Sequence, residues 1–239
     1  MFVLLTNVLL MAGLMISFLL PSLFMLPPLE NSILVGSGFL ISTLCIGIVS
    51  RWGADVVEIK RPSLTKCCTY LAKTWGDSLF TLAWIFLVIV AVISNLNFYL
   101  RWDFWLASLA LGLVLTLIAL WMMAVQFYLA LRHQRPNTFG RTLVTMFQFL
   151  FQNPGFALLS FMMTILMLVL SVLTLGLMPG LSGVLLFWNT GLRQRLKKYT
   201  WLEQNPDKIG QPIPWRKLQE DDKKKLEDRN IRNLFQSWR

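Results

Sequence analysis

"GFALLSFMMTILMLVLSVLTLGLMPGLSGVLLFWNTGL", residues 155–192, contains no charged side chain, and its length decides how the chain is interpreted. An α-helix rises about 1.5 Å per residue and needs about 20 apolar residues to cross a bilayer, so this stretch is too long for one span. Gly176, Gly180 and Gly183 surround Pro179, and these residue types interrupt regular helix. The stretch therefore predicts a hairpin of two helices. A single Pro-kinked helix is the alternative.

The composition of the chain is typical of a membrane protein. Of its 239 residues, 56% are hydrophobic and 14% are charged, whereas soluble domains average about 45–50% apolar and about 25% charged residues. Backbone polar groups need internal partners in lipid, so the spans are expected to be helical. We therefore predict an all-α, polytopic membrane protein.

Uncharged stretches predict where the spans lie. A transmembrane domain is predicted over residues 1–199, followed by a basic cytoplasmic tail over residues 200–239. The predicted domain contains six spans, at residues 2–26, 33–50, 78–100, 104–131, 155–176 and 180–196.

The basic residues predict the orientation of the chain. Its 22 lysines and arginines concentrate in residues 51–77, in residues 132–141 and from Arg193 onward. Loops rich in lysine and arginine stay in the cytoplasm, so an even number of spans must separate these segments. This parity favours the hairpin over the kinked helix, and it places both termini in the cytoplasm.

Two segments between the spans have apolar residues at helical spacing. Residues 64–75 and residues 139–152 each predict a helix along the cytoplasmic interface, or a connector packed on the spans. In the second segment the predicted apolar face consists of Phe139, Leu143, Met146, Phe147 and Leu150. Asn153 and Pro154 predict the N-cap and first residue of the next helix.

The basic tail divides into two predicted helices. A solvated helix is expected after Pro214, where acidic residues precede lysines at the favourable four-residue spacing. Residues 228–239 predict a docking helix, because one apolar stripe faces one side of it. The surface on which this helix docks is a partner's groove, the lipid interface or the chain's own loops. The stripe consists of Ile231, Leu234, Phe235 and Trp238.

The sequence contains no motif of an enzyme or a metal site. His133 is the only histidine and lies in a predicted basic loop, and Cys45, Cys67 and Cys68 lack the Cys-x-x-Cys spacing of zinc or redox sites. We interpret the cysteines as reduced structural thiols. No charged residue lies inside a predicted span except Arg193 and Arg195 at the interfacial end of the sixth, which disfavours a proton-coupled transporter. We predict no enzymatic activity, no catalytic residue, no cofactor and no metal.

Polar and small residues within the spans predict helix packing. Ser108, Gly112 and Thr116 form a small-residue stripe, which we expect to pack inside the chain rather than on a partner. Amides within or near the spans are expected to be interhelical hydrogen-bond partners or interface residues rather than a substrate site. These residues are Asn7, Asn95, Gln126 and Asn189. The orientation rule accounts for the basic residues, so no nucleic-acid partner is predicted.

The order of features resembles the YesL-like family of bacterial multi-spanning membrane proteins. The resemblance covers roughly residues 1–199 and rests on "FLLPSL", "LTKCCTYLAKTWGDSLF", "FQNPGFALLSF" and "GLMPGLSGVLLFWNTGLRQRLKKY". The chain departs from the pattern around "CCTY" and in its tail after Tyr199. The resemblance implies a bacterial inner-membrane location and association with carbohydrate ABC importers. It implies no catalytic residues.

Three functional hypotheses follow. The first is a non-enzymatic accessory or scaffold subunit of a bacterial inner-membrane complex, with membrane lipids and an ABC permease as partners. The second is a small-molecule transporter or channel that acts alone, with amide side chains converging near mid-membrane. The third is a membrane enzyme, which needs a nucleophile or metal cluster that the sequence does not contain.

Overall fold

The computed structural model describes residue 7 and residues 28–60, 66–99, 105–135, 137–174, 179–208 and 211–227. The described part is helical throughout its main elements, so the predicted all-α fold is confirmed. The helices are α1 (Pro28–Val57), α2 (Cys67–Tyr99), α3 (Trp105–Val125), α4 (Tyr128–Gln134), α5 (Phe139–Gln152), α6 (Pro154–Leu173), α7 (Gly180–Gln204) and α8 (Trp215–Glu227), with a 3-10 turn at Pro206–Lys208.

The described helices provide fewer membrane spans than the six predicted. Four stretches are long and apolar enough to cross a bilayer: Gly36–Val57, Cys67–Tyr99, Trp105–Gln134 and Pro154–Leu173. Of the predicted first span only Asn7 is described, so that span lies almost wholly outside the described residues. The predicted sixth span is the helix α7, which does not qualify by composition because polar and basic side chains fill its second half.

Apolar outer faces distinguish α2, α3 and α6 from the other long helices. Large hydrophobic side chains of these helices remain exposed, as lipid-facing residues do. Examples are Phe86, Val90, Leu113, Leu117, Leu166 and Val172. This exposed apolar surface supports the assignment of the chain as a membrane protein.

The stretch around Pro179 forms two antiparallel helices. Ser171 Oγ of α6 accepts a hydrogen bond from the Gly180 backbone N–H at 2.9 Å, and Thr164 Oγ1 accepts one from Trp188 Nε1 at 2.8 Å. Residues later in α7 therefore contact residues earlier in α6, as in an antiparallel pair. This pairing excludes a single kinked helix through residues 155–192.

One predicted boundary is wrong, and one predicted span contains a turn that was not predicted. Residues 64–75 were expected to form an interfacial helix or a connector packed on the spans, but from Cys67 they belong to α2, which continues into the apolar span without a break. The predicted span 104–131 corresponds to the candidate span Trp105–Gln134, within which α3 ends at Val125 and the short α4 begins at Tyr128. Helix α2 contains no proline that would separate residues 67–75 from the apolar span. No glycine or proline marks the turn after Val125 either.

The core lies where α1, α3, α4, α5 and α7 meet. The predicted apolar face of α5 contributes to it: Met146 and Leu150 are buried, and Leu143 and Phe147 pack against the core. Pro154 is the first residue of α6 as predicted, but Asn153 makes no capping hydrogen bond. Its amide instead contacts the Phe149 carbonyl and the Tyr199 hydroxyl.

Candidate functional site

Asp77 of α2 is the centre of a largely buried ion pair. Its Oδ1 accepts hydrogen bonds from the Tyr128 hydroxyl at 2.8 Å and from Arg132 Nε at 3.0 Å, and its Oδ2 lies 3.0 Å from the same nitrogen. Tyr128 and Arg132 are four residues apart on α4, so they share one helix face. Only 10% of the Asp77 side chain is exposed, so these two groups compensate its charge and hold α4 against α2.

The last turns of α1 contact both α2 and α4. Arg51 Nη1 donates to the His133 carbonyl at 2.7 Å, and the Tyr70 hydroxyl donates to Asp55 Oδ2 at 2.6 Å. His133 Nδ1 lies 3.2 Å from Ser50 Oγ. These bonds fix the ends of three helices relative to one another.

Asn189 of α7 joins the same framework from the opposite side. Gln134 Nε2 donates to the Asn189 carbonyl at 2.9 Å and to its Oδ1 at 3.1 Å, and Asn189 Nδ2 donates to the Ser50 carbonyl at 3.4 Å. A Cβ at Gly53 would lie 3.3 Å from Asn189 Nδ2, so a side chain there would crowd this contact. The glycine lets α1 approach α7 closely enough for the bonds to form.

A cavity of about 900 Å³ opens beside this framework, between α2, α4, α5 and the end of α1. We call it the basic cavity, because its charged lining is mainly cationic. The acidic groups Glu58 and Asp77 are paired with Lys60 and Arg132, respectively. The basic lining residues are Arg51, Lys60, Lys73, Arg132 and Arg141. Positive charge therefore exceeds negative charge in this cavity, which can attract an anion.

Sequence reasoning misplaced the charged residues of this site. His133 was expected in a loop, but it is a buried residue of α4. Arg51, Asp55, Asp77 and Arg132 lie within the helical stretches that qualify as spans, although all four were predicted to lie outside the spans. The helices extend beyond the uncharged runs, because ion pairs and hydrogen bonds compensate the charges there.

One signal for the site was present in the sequence. Tyr128 and Arg132 have the four-residue spacing of one helix face, and Asp77 directly precedes an uncharged run. A buried carboxylate in a membrane helix needs a cation or hydroxyl partner. The pairing itself joins residues 51 or more positions apart, which sequence spacing alone does not reveal.

In addition to Asn189, two of the predicted polar residues form hydrogen bonds to another helix or its N-terminal end. Asn7 donates to the Pro179 carbonyl at 2.8 Å and accepts from the Ser182 hydroxyl at 2.7 Å, and Gln126 donates to the Ala157 carbonyl at 3.1 Å. For Asn95 no interhelical hydrogen bond occurs among the described residues. Its amide donates to Ala91 of its own helix.

The small-residue stripe lies away from the interior. Ser108, Gly112 and Thr116 are all exposed on α3, and a Cβ at Gly112 would meet no atom within 4 Å. The described helices therefore do not confirm the expected packing inside the chain. The stripe lies on the side of α3 that faces away from the other described helices, since the opposite side of the helix contacts α2 and α5.

The cysteines lie within the described residues, but the tail is described only as far as residue 227. Cys45, Cys67 and Cys68 are free thiols, and no cluster of three or more metal-ligating residues occurs in the described part. The helix after Pro214 is present as α8. The predicted docking stripe lies outside the described residues. It consists of Ile231, Leu234, Phe235 and Trp238.

Comparisons of the chain with protein-family models, curated proteins and solved structures find no match. The YesL-like resemblance and the functions that it implies therefore stay predictions.

Proposed function

We propose that the chain is a non-enzymatic accessory or scaffold subunit of a bacterial inner-membrane complex. In this proposal the apolar outer faces of α2, α3 and α6 contact lipid or the spans of a partner. The cytoplasmic end holds the docking tail at a fixed place. The resemblance suggests a carbohydrate ABC importer as the complex and its permease as the partner.

The attachment of α8 to α7 is the observation that carries the proposal. Asp222 accepts from Arg193 Nη2 at 2.8 Å through Oδ1 and from Lys197 Nζ through Oδ2, while Lys197 also donates to the Leu218 carbonyl at 3.1 Å. The predicted solvated spacer is thus anchored to the membrane domain through one face. Such an anchor limits the volume that the following residues can reach, which raises the effective concentration of a docking segment.

The docking residues follow this anchor at a short distance in sequence. Helix α8 ends at Glu227, and the apolar stripe begins at Ile231. A short amphipathic helix is marginal alone in water and needs a surface for its apolar face. An anchor immediately before such a segment favours docking on a protein that lies beside the end of α7.

The bonding of the interior amides favours this function over a stand-alone transporter. Gln126, Asn189 and Asn7 all donate hydrogen bonds to backbone carbonyls. A substrate path needs polar groups that are available to a passing molecule. Amides that already bind carbonyls stabilise helix packing instead.

Affinity purification of the full chain in mild detergent, with mass spectrometry of co-purified proteins, tests the proposal. We expect an ABC permease to co-purify. Phe235→Asp should lower its recovery at least about tenfold, because burial of a large apolar side chain contributes about 1.5–3 kcal/mol. Ser237→Asp is the matched control, since it adds the same charge outside the apolar stripe and should retain the partner.

Asp222→Ala tests the anchor separately. Loss of both ion pairs should lower recovery of the partner several-fold while leaving the abundance of the chain unchanged. Equal recovery with Phe235→Asp and with Ser237→Asp would contradict docking through the stripe. Absence of any stoichiometric membrane partner would contradict the accessory function itself.

A further inference from the structure

We infer that the basic cavity binds a phosphate group, carried either by an anionic phospholipid headgroup or by a soluble phosphorylated compound. This inference is independent of the proposed docking of the tail, since the cavity lies between α2, α4, α5 and the end of α1. It rests on unused cationic groups, on an unpartnered buried imidazole nitrogen and on the position of the cavity.

The cavity contains cations that the fold does not use. Lys73 and Arg141 line it, and neither side chain forms a hydrogen bond or ion pair with a described residue, since the bond at Arg141 uses its carbonyl. Arg132 engages Asp77 through Nε, which leaves its two Nη nitrogens for another acceptor. Arg51 donates from Nη1 to the His133 carbonyl. Guanidinium and ammonium donors in one cavity match the several acceptor oxygens of a phosphate.

The nearby carboxylates do not cancel this charge. Glu58 is paired with Lys60, and Asp77 is paired with Arg132. Asp55 is buried behind the lining, where it accepts the Tyr70 hydroxyl hydrogen bond. Glu58 and Asp77 therefore neutralise two of the five lining cations, and Asp55, whose hydrogen-bond partner Tyr70 is neutral, can offset one of the remaining three.

His133 gives independent evidence for a ligand. The residue lines the cavity and is only 6% exposed, and its Nε2 has no hydrogen-bond partner among the described residues. Its Nδ1 lies 3.2 Å from Ser50 Oγ, and in the tautomer in which this hydroxyl donates to Nδ1 the ring N–H is on Nε2. A buried donor without a partner is costly, and a phosphate oxygen would satisfy it.

The position of the cavity suits a lipid headgroup as well as a soluble ligand. Most of its lining residues lie at or next to the ends of the helical stretches that qualify as spans, and Arg141 lies at the start of α5. The basic residues predict the cytoplasmic surface at this level. Basic pockets between membrane helices on that surface bind anionic headgroups. A soluble phosphorylated compound would reach the same opening from the cytoplasm.

Binding measurements on the full chain in a neutral detergent distinguish these sources. Native mass spectrometry measures the binding of dioleoylphosphatidylglycerol and of zwitterionic dioleoylphosphatidylcholine, and calorimetry measures the binding of inorganic phosphate. We expect phosphatidylglycerol to bind at least about tenfold more tightly than phosphatidylcholine, because the latter carries no net negative charge. The double variant Lys73→Gln/Arg141→Gln should weaken the binding of phosphatidylglycerol about tenfold.

The double variant Arg216→Gln/Lys217→Gln is the matched control. It removes the same charge from α8, outside the basic cavity, and should change binding less than about twofold. If the cavity double variant does not fold, the single variants Lys73→Gln and Arg141→Gln replace it, since both side chains are exposed.

Each outcome decides the inference. Selective phosphatidylglycerol binding that depends on Lys73 and Arg141 supports a lipid headgroup, and phosphate binding with the same dependence but without lipid binding supports a soluble ligand. Equal losses in the cavity variant and the control would show general charge attraction and overturn the site. Failure of both probes to bind would overturn it as well.

Discussion

Asp77→Asn should destabilise the chain by about 2–3 kcal/mol. The substitution keeps an oxygen that can accept the Tyr128 hydroxyl bond, but it removes the charge that Arg132 requires. Breaking a buried ion pair by removing one partner costs about 3–5 kcal/mol. The exposed fractions of the Asp77 and Arg132 side chains are 10% and 28%, so solvent partly compensates the unpaired guanidinium and we expect a smaller loss.

Thermal unfolding of the full chain in detergent, followed by tryptophan fluorescence, measures this loss. The chain contains 10 tryptophans, so the signal reports on many positions. For a chain of about 150–250 residues, 1 kcal/mol corresponds to about 2–4 °C in Tm, which gives a fall of about 4–12 °C. Glu203→Gln is the control, because it removes an exposed carboxylate and should shift Tm by less than about 2 °C.

A double-mutant cycle shows whether the loss belongs to the pair. Arg132→Gln alone should also destabilise the chain, and the double variant Asp77→Asn/Arg132→Gln should lose less than the sum of the two single losses. Strict additivity, or a shift from Asp77→Asn as small as that of the control, would refute the assignment of a stabilising ion pair between α2 and α4.

Two further predictions concern backbone strain and orientation. Gly180 has a φ of 60°, and a Cβ there would overlap the Asn7 amide, so Gly180→Ala should cost about 1–3 kcal/mol in the same unfolding assay. Gly112→Ala should be neutral or stabilising by up to about 1 kcal/mol, and equal effects at both positions would contradict this explanation. In a variant whose native cysteines are all alanine, an impermeant maleimide added outside should label Thr174→Cys and leave Thr200→Cys unlabelled. Labelling at Thr200 would contradict the cytoplasmic location of the basic end of α7.

The sequence alone was sufficient for the features that depend on local hydrophobicity. Long uncharged runs predicted helices in the described parts of five spans, and the glycines around Pro179 predicted the end of one helix and the start of another. The periodic apolar residues of α5 predicted its buried face at Met146 and Leu150. Such patterns are local, because a helix in lipid satisfies its backbone within its own segment.

Only the tertiary structure decided which helix faces meet. It placed α7 against α1, α4 and α6, and it turned the stripe at Gly112 away from the interior. It also brought Asp77 to Tyr128 and Arg132, and it buried His133 beside the basic cavity. The hydrophobicity of a segment determines that it is helical in a membrane. Which face of the helix points inward, and which helices lie next to it, depend on contacts between residues far apart in sequence. In the sequence, charged residues near the ends of the apolar runs indicate the ends of membrane spans. In the structure, their partners on other helices bring them together in one site.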